Sequence, residues 1–268
     1  MWPIRNAINS NGLTFCELRQ FLEEKHNQYN RPSFIPSDPI SIPHRFTSLQ
    51  DREISGFLVA AIAWGRRDLI LRSANILLEA MDNTPYEFVM SADSNDLKRV
   101  SRFVHRTFNG TDCTYFMRGL KHIYLESGSM EDVILEGMSG SGDLKEGISN
   151  LRRYFFCNDH ERRTEKHFAD INGGAAGKRL NMFLRWMVRN DGRGVDFGMW
   201  KRINPSVLYI PLDLHSGNTA RKLGLLTIKI NDWKAVEELT SNLREFDRAD
   251  PVKYDFALFG LGVFEGFR

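Results

Sequence analysis

The segments GKRLNMFLRWMVR (177–189) and IPLDLHSGNTARKLG (210–224) decide how this chain is read. In the first, Leu180, Phe183, Leu184 and Met187 recur at the spacing of a helix with one buried face. Lys178, Asn181, Arg185 and Arg189 then fall on a polar stripe that is expected to face water. In the second, Asp213 follows the apolar run Leu208–Leu212 and stands where a helix N-cap belongs, its carboxylate placed to accept a backbone N–H two or three residues on. An amine that can act as a nucleophile and a carboxylate that can stabilise developing positive charge are thus carried by neighbouring helices.

Helical periodicity continues on both sides. Upstream it predicts helices over Thr14–Tyr29 (Thr14 capping, Glu17 three residues on), Asp51–Ala63, Asp68–Met81, a short one from Thr84-Pro85, Asn95–Phe108, Thr111–Ser127 and Leu144–Phe156. Downstream it predicts Asn218–Leu226, Asp232–Phe246 and Asp250–Phe264. Pro32, Pro36, Pro39 and Pro43 predict an extended connector. Gly128–Gly142 reads as a loop around a short helix, and Asp191–Pro205 as a loop with one helical turn at Gly198–Ile203. Only Val207–Ile210 suggests strand. With about ten helices and no βαβ alternation, the expected fold is all-α. The expected organisation is an N-terminal helix and proline connector (1–50) packed on one helical unit with two lobes (51–268).

Composition narrows the function classes. The chain has 268 residues, 42% hydrophobic and 26% charged, the balance of a folded globular protein. No apolar run approaches the length of a membrane span, and no apolar h-region follows Arg5, so neither a membrane anchor nor a secretory leader is expected. Cys16, Cys113 and Cys157 are odd in number and far apart, which predicts reduced thiols in the cytoplasm and no four-cysteine cluster; the expected state is a monomer. The histidines form no His-x₃-His pair, so no metal and no cofactor are expected. Net charge is only +2, but Lys145–Arg189 holds ten Lys/Arg against five Asp/Glu, either a basic face for phosphates or a set of solvated helix surfaces.

GGAAGK (173–178) invites comparison with a phosphate-binding P-loop and fails it. Asn172 stands where the first glycine belongs, Arg179 replaces the Mg²⁺-binding Ser or Thr, and Arg163–Asp170 is no buried strand. A glycine turn at a helix N-terminus can still hold a phosphate. Lys178, beside Arg179 and the positive helix end, sits where the amine is favoured over the ammonium. From the residues alone, Lys178 as part of a wet stripe and Asp213 as an ordinary cap remain open.

Lys178 with its apolar helix, followed by PLDLHSGNTARKLGL (211–225), resembles the helix-hairpin-helix DNA glycosylase superfamily, the group of endonuclease III and 8-oxoguanine glycosylase. Those enzymes carry Gly-x-Lys at the start of the second hairpin helix, then Val-Asp-Thr/Val-His and an Arg-Leu-Gly-like ending. By that match Lys178 falls on the catalytic lysine, Asp213 on the catalytic aspartate, His215 on the motif histidine, and Arg221, Leu223 and Gly224 on the closing helix. GFLVAAIAWGRRDLILRSANILLEAM (56–81) is similar to the superfamily's early helices, and DPVKYDFALFGLGVFEG (250–266) to its late helix. The likeness runs from about Asp51 to the C-terminus. KRLNMFLRWMVR with PLD and His215 is closer still to a bacterial family of unassigned function placed in that superfamily.

The resemblance implies a two-lobed helical fold and excision of a damaged base, with AP-lyase chemistry through a Schiff base on Lys178 and charge stabilisation by Asp213. Duplex DNA with a damaged or abasic nucleotide would be the partner. Gly173, Gly174, Gly177, Arg179, His215, Asn218 and Arg221 would contact DNA, and Trp64 and Phe264 would line the base pocket, with the nucleotide flipped into a cleft between the lobes. Several departures bear on this. Asn172–Gly177 replaces Leu-Pro-Gly-Val-Gly, Trp64-Gly65 stands where a base-contacting glutamine is usual, and no terminal cysteine set is present. Lys178 and Asp213 are 35 positions apart, with Asp191–Ser206 as an insertion that must bulge aside. The competing expectation is a catalytically inactive module of the same fold that binds nucleic acid or a protein partner. An unrelated all-α small-molecule enzyme has no motif in its favour.

Overall fold

A computed structural model describes residues 12–267. Helix α1 (Phe15–Tyr29) begins at a capping box: Thr14 accepts from the Glu17 N–H, and the Glu17 carboxylate accepts from the Thr14 N–H. The proline segment is not extended. It folds into three 3₁₀ turns, Pro32–Ser37, Pro39–Ser41 and Pro43–Arg45, because a proline at the start of a tight turn loses no hydrogen bond and its fixed φ suits the turn.

Seven helices follow: α2 (Leu49–Ile62), α3 (Arg67–Ala80), α4 (Pro85–Ser91), α5 (Ser94–Val100), α6 (Gly110–Ser127), α7 (Met130–Met138) and α8 (Leu144–Phe155). One of these helices is shorter than its pattern suggests, and one loop stretch holds the short helix expected in it. The helix expected over Asn95–Phe108 stops at Val100, since Arg106 takes a left-handed φ of 56° and His105 and Phe108 pair across a tight turn. Within Gly128–Gly142, Gly128 in the left-handed region closes α6 and Ser129 caps α7. Helix α7 then packs closely on α8: a Cβ on Gly137 would lie 2.5 Å from Asn150 Cβ, and one on Gly147 would lie 2.7 Å from the Ile134 carbonyl.

A 3₁₀ turn at Arg162–His167 precedes α9 (Lys178–Val188). Gly198–Ile203 is not helical; Pro205–Val207 forms a 3₁₀ turn instead, so the strand suggested at Val207–Ile210 does not form. Helices α10 (Leu214–Lys222), α11 (Trp233–Phe246) and α12 (Asp255–Val263) complete the described residues, with a 3₁₀ turn at Pro251–Tyr254 leading into α12. The architecture is all-α. No strands pair into a sheet among the described residues; the extended pairings are isolated bridges at His105–Phe108 and Ala175–Asp232. No helix among them is long and apolar enough to cross a membrane.

The chain folds as two compact units, one of Ile35–Asp170 and one of Met1–Phe34 with Ile171–Arg268. The boundary expected at residue 50 therefore falls inside the first of these, and α1 belongs with α9–α12. The Ile35–Asp170 unit has an aromatic centre in which Phe116 and Phe155 meet at 4.8 Å and Phe155 and Phe168 at 5.3 Å. In the other unit α12 lies between α1 and α10. The approach of α1 depends on Gly260, where a Cβ would fall 2.1 Å from the Tyr29 ring. Gly260→Ala is expected to lower stability by about 2 kcal/mol, read as a lower denaturation midpoint with unchanged helical circular dichroism. An unchanged midpoint would contradict this packing.

Candidate active site on α9, α10 and α12

Helix α9 starts where Gly177 adopts φ 61°, ψ 24°, a left-handed conformation that costs glycine little. The glycine turn before it is held from two sides. The Trp233 N–H donates to the Gly174 carbonyl at 3.0 Å, and Asn181 reaches back to the Ala176 carbonyl at 3.3 Å. Gly173 and Gly174 are exposed, while Gly177 is buried. Lys178 is the first residue of the helix, half-buried, with Nζ 3.4 Å from Met182 Sδ. Arg179 beside it is half-buried too, and burial pulls its guanidinium down to about 10.

Asp213 caps α10, as its position suggests, but with one oxygen. Oδ1 accepts from the His215 N–H at 2.8 Å, the Ser216 N–H at 3.0 Å and the Ser216 hydroxyl at 3.2 Å, while Ser216 Oγ accepts from the Asp213 N–H at 2.9 Å. Among the described residues nothing donates to Oδ2. A single carboxylate can therefore cap the helix with one oxygen and present the other to a substrate. The Arg221 guanidinium is turned inward, donating to the Ile228 carbonyl at 2.8 Å and to Asn231 Oδ1 at 2.6 Å, and Asn231 in turn donates to the Asp213 carbonyl at 2.9 Å. Arg221 thus braces the Asp213 backbone. His215 and Asn218 are half-buried on α10.

The polar stripe expected on α9 does not face water. Arg185 is 4% exposed and Arg189 1%, and both are paired with carboxylates. Arg185 Nε bonds Asp196 Oδ1 at 3.2 Å, and its NH1 contacts Asp255 Oδ2. Arg189 bonds Asp196 at 3.0 Å, Asp250 at 2.8 Å and Asp191 at 2.9 Å. Burial disfavours the Arg189 charge, yet the three carboxylates raise its basicity overall. The Asp191–Ser206 segment accordingly does not bulge aside. It folds back on the end of α9, with Phe197 N donating to the Trp186 carbonyl at 2.8 Å and Trp200 N to the Met187 carbonyl at 2.9 Å. Much of the basic excess of 145–189 is thereby internal, since Arg152 pairs with Glu165 and Arg163 with Asp112 as well.

Asp255, the first residue of α12, lies within the stretch 250–266 that resembles the superfamily's late helix, but the sequence gives it no role of its own. It is 7% exposed, and its carboxyl interacts electrostatically with Lys178 and Asp213 as well as with Arg185 and Asp196. Burial pushes it up to about 6, against the pull of Arg185 and Lys178. Lys178 and Asp213 thus both lie within electrostatic reach of this carboxyl. No local signal marks it: Arg185 and Arg189 have the spacing of a wet stripe, and only their burial shows that they require anions from elsewhere in the chain.

The residues expected to line a base pocket lie in separate units. Trp64 stacks on His167 at 5.7 Å and meets His105 edge-on at 5.1 Å, beside a recess of about 230 Å³. Phe264 is half-exposed and stacks on Tyr29 at 5.5 Å. Among the described residues no group of three or more His, Cys, Asp or Glu side chains could hold a metal ion.

His26 supplies a pH test of the network. Its Nε2 lies 3.9 Å from Asp191, but burial, then the charges of Arg189, Arg193 and Lys253, hold the ring neutral down to about 4. An unfolded histidine protonates near 6.5, so the unfolded state binds the extra proton as pH falls from about 6.5 to 4, and the native state loses stability there. Relative to His26→Gln, the native protein is expected to lose about 3 kcal/mol between pH 7 and pH 4; equal pH dependence of the two would contradict a neutral buried ring. Arg189→Met leaves Asp250 without its guanidinium partner and strips one partner each from Asp196, which keeps Arg185, and Asp191, which keeps Arg193; it is expected to cost about 3–5 kcal/mol, measured by urea denaturation at pH 7, whereas a cost under about 1 kcal/mol would place the network at the surface.

No curated protein and no solved structure matches the chain. A family model does: that of the family described as "Protein of unknown function (DUF2400)" matches residues 38–264. The chain belongs to that family.

Proposed function

From membership of a family without an assigned activity, and from the centre on α9, α10 and α12, we propose that the protein is a DNA base-excision enzyme of the helix-hairpin-helix glycosylase type, acting through Lys178 and Asp213. The observation that carries this reading is that both residues lie within electrostatic reach of the buried Asp255 carboxyl, although 35 positions of chain separate them. A lysine in the first turn of a helix after a glycine turn, and an aspartate with one uncommitted oxygen, are the parts that displacement at a sugar carbon requires.

The amine form of Lys178 attacks C1′ as the bond to the base breaks. Asp213 Oδ2 faces the positive charge that develops on the sugar, which its fixed negative charge stabilises without reorganisation. The departing base carries the electron pair of the broken bond and takes up a proton. Opening of the sugar ring then leaves a Schiff base on Lys178, from which β-elimination nicks the strand. The exposed Gly173 and Gly174, with the N–H groups at the start of α9, support binding of a backbone phosphate. Arg179, His215 and Asn218 extend that polar surface, while Arg221 supports Asp213 rather than DNA.

Incubation with abasic-site and 8-oxoguanine duplexes under borohydride tests the reading, because reduction converts a Schiff base into a stable amine. The expected result is a covalent protein–DNA adduct, lost in Lys178→Gln and formed about a hundredfold more slowly in Asp213→Asn. Absence of an adduct across a lesion panel, with binding that weakens steeply with salt, would replace the enzyme with a nucleic-acid-binding module of the same fold.

A further inference from the structure

The recess beside Trp64 belongs to the Ile35–Asp170 unit, which contains neither Lys178 nor Asp213. Three short pieces of chain build it. Trp64 and Arg66 come from the turn between α2 and α3, Leu69 and Ser73 from α3, and Val104, His105 and Arg106 from the tight turn that closes on Phe108. Leu69 and Ser73 are four positions apart and so share one helix face. The polar groups here form a chain with a fixed direction. His105 Nε2 lies 3.4 Å from the Trp64 carbonyl, and Nδ1 lies 2.9 Å from the Ser73 hydroxyl. A carbonyl can only accept, so Nε2 carries the ring proton and Nδ1 is left bare to accept from Ser73 Oγ–H. Burial, with the Arg106 charge beside it, holds this histidine below its ordinary range and so neutral at pH 7. Arg106 itself adopts a left-handed φ of 56°, rare for an arginine. Its guanidinium is laid over Gly65, where any Cβ would collide with Nη1, and among the described residues it makes no hydrogen bond or ion pair. Arg66, by contrast, is taken up by Asp68 at 3.1 and 2.6 Å.

We propose that Ser73, His105 and Arg106 form a second catalytic centre, which hydrolyses short-chain carboxylic esters through an acyl-enzyme. A hydroxyl, a base within hydrogen-bond reach and a third group that orients the base are the parts of an activated nucleophile. Here the third group is the Trp64 carbonyl. Ser73 Oγ bonds to the ester carbonyl carbon as its proton passes to His105 Nδ1, and the π electron pair moves onto the carbonyl oxygen. The Arg106 guanidinium, set in place and uncommitted, stabilises that oxyanion. The pair then returns, the bond to the alcohol oxygen breaks, and the leaving oxygen takes the proton from His105. Water repeats the sequence on acyl-Ser73: it gives a proton to His105, its oxygen bonds to the acyl carbon, and the carboxylic acid departs as Ser73 regains its proton. Trp64, Leu69 and Val104 give the recess apolar walls, and its volume of about 230 Å³ suits a short aliphatic acyl chain.

The test uses the native protein and a fluorophosphonate, whose phosphorus takes the place of the ester carbonyl carbon and whose fluoride leaves. The labelled peptide is mapped by mass spectrometry. One adduct on Ser73 is expected, absent in Ser73→Ala and formed about a hundredfold more slowly in His105→Gln. Hydrolysis of p-nitrophenyl butyrate should be lost in Ser73→Ala, and Arg106→Gln should lower its kcat about a hundredfold with little change in KM. Helical circular dichroism of each variant separates a lost site from a lost fold. A native protein that stays unlabelled at Ser73 overturns the proposal whether or not the variants fold, as does a folded Ser73→Ala protein that hydrolyses the ester at the native rate. Borohydride trapping reads Lys178 in the other unit, so ester hydrolysis and base excision can each fail without the other.

Discussion

Two arginines without access to water organise the unit built on α9–α12. A buried guanidinium cannot shed its proton at any ordinary pH, so burying Arg185 and Arg189 obliges the chain to bring carboxylates to them. Asp191 and Asp196 come from the segment just after α9, and Asp250 and Asp255 from the turn before α12 and its first residue. The pairing fixes which face of α9 meets α12 and how the intervening loop folds back. Replacing such a network with apolar residues of equal volume can be neutral or stabilising, whereas breaking it by halves is costly. Its contribution here is specificity of arrangement: one rotation of α9, and hence one placement of Lys178.

The same economy appears at Asp213. Capping α10 needs only Oδ1, and the brace from Arg221 through Asn231 holds the Asp213 carbonyl as well. The carboxylate is thus rigid, a precondition for stabilising charge without reorganisation. Capping and catalysis are compatible demands on this residue. Lys178 is held more loosely, half-buried with a sulfur contact at 3.4 Å, as the proposed role of nucleophile requires.

Local signals in the sequence carried the helical class, most helix positions and both capping residues, because caps and periodicity are short-range. Where the reading failed, long-range partners decided. The polar stripe of Arg185 and Arg189 has the look of a wet face until Asp196, Asp250 and Asp255 are placed beside it, and nothing local to α9 predicts them. Gly137 falls in a stretch that reads as loop and Gly147 in an expected helix, yet both serve the close crossing of α7 and α8. The proline segment reads as extended because prolines exclude α-helix, yet they admit consecutive 3₁₀ turns. Arg221 has the composition of a phosphate ligand and the geometry of a brace. Asp255 lies in a stretch that resembles a known helix, but its burial beside Arg185 is decided only where α9 and α12 meet in the fold.

If the buried charges set the rotation of α9, the contact between Arg185 and Asp255 must carry strong coupling. A double-mutant cycle with Arg185→Met and Asp255→Asn, followed by urea denaturation at pH 7, measures it most directly. A coupling of about 2–3 kcal/mol, with the double variant more stable than the sum of the single losses allows, is the predicted result. Additivity within about 0.5 kcal/mol would mean that the two side chains do not hold α9 against α12, and the shared placement of Lys178 and Asp213 would lose its physical basis.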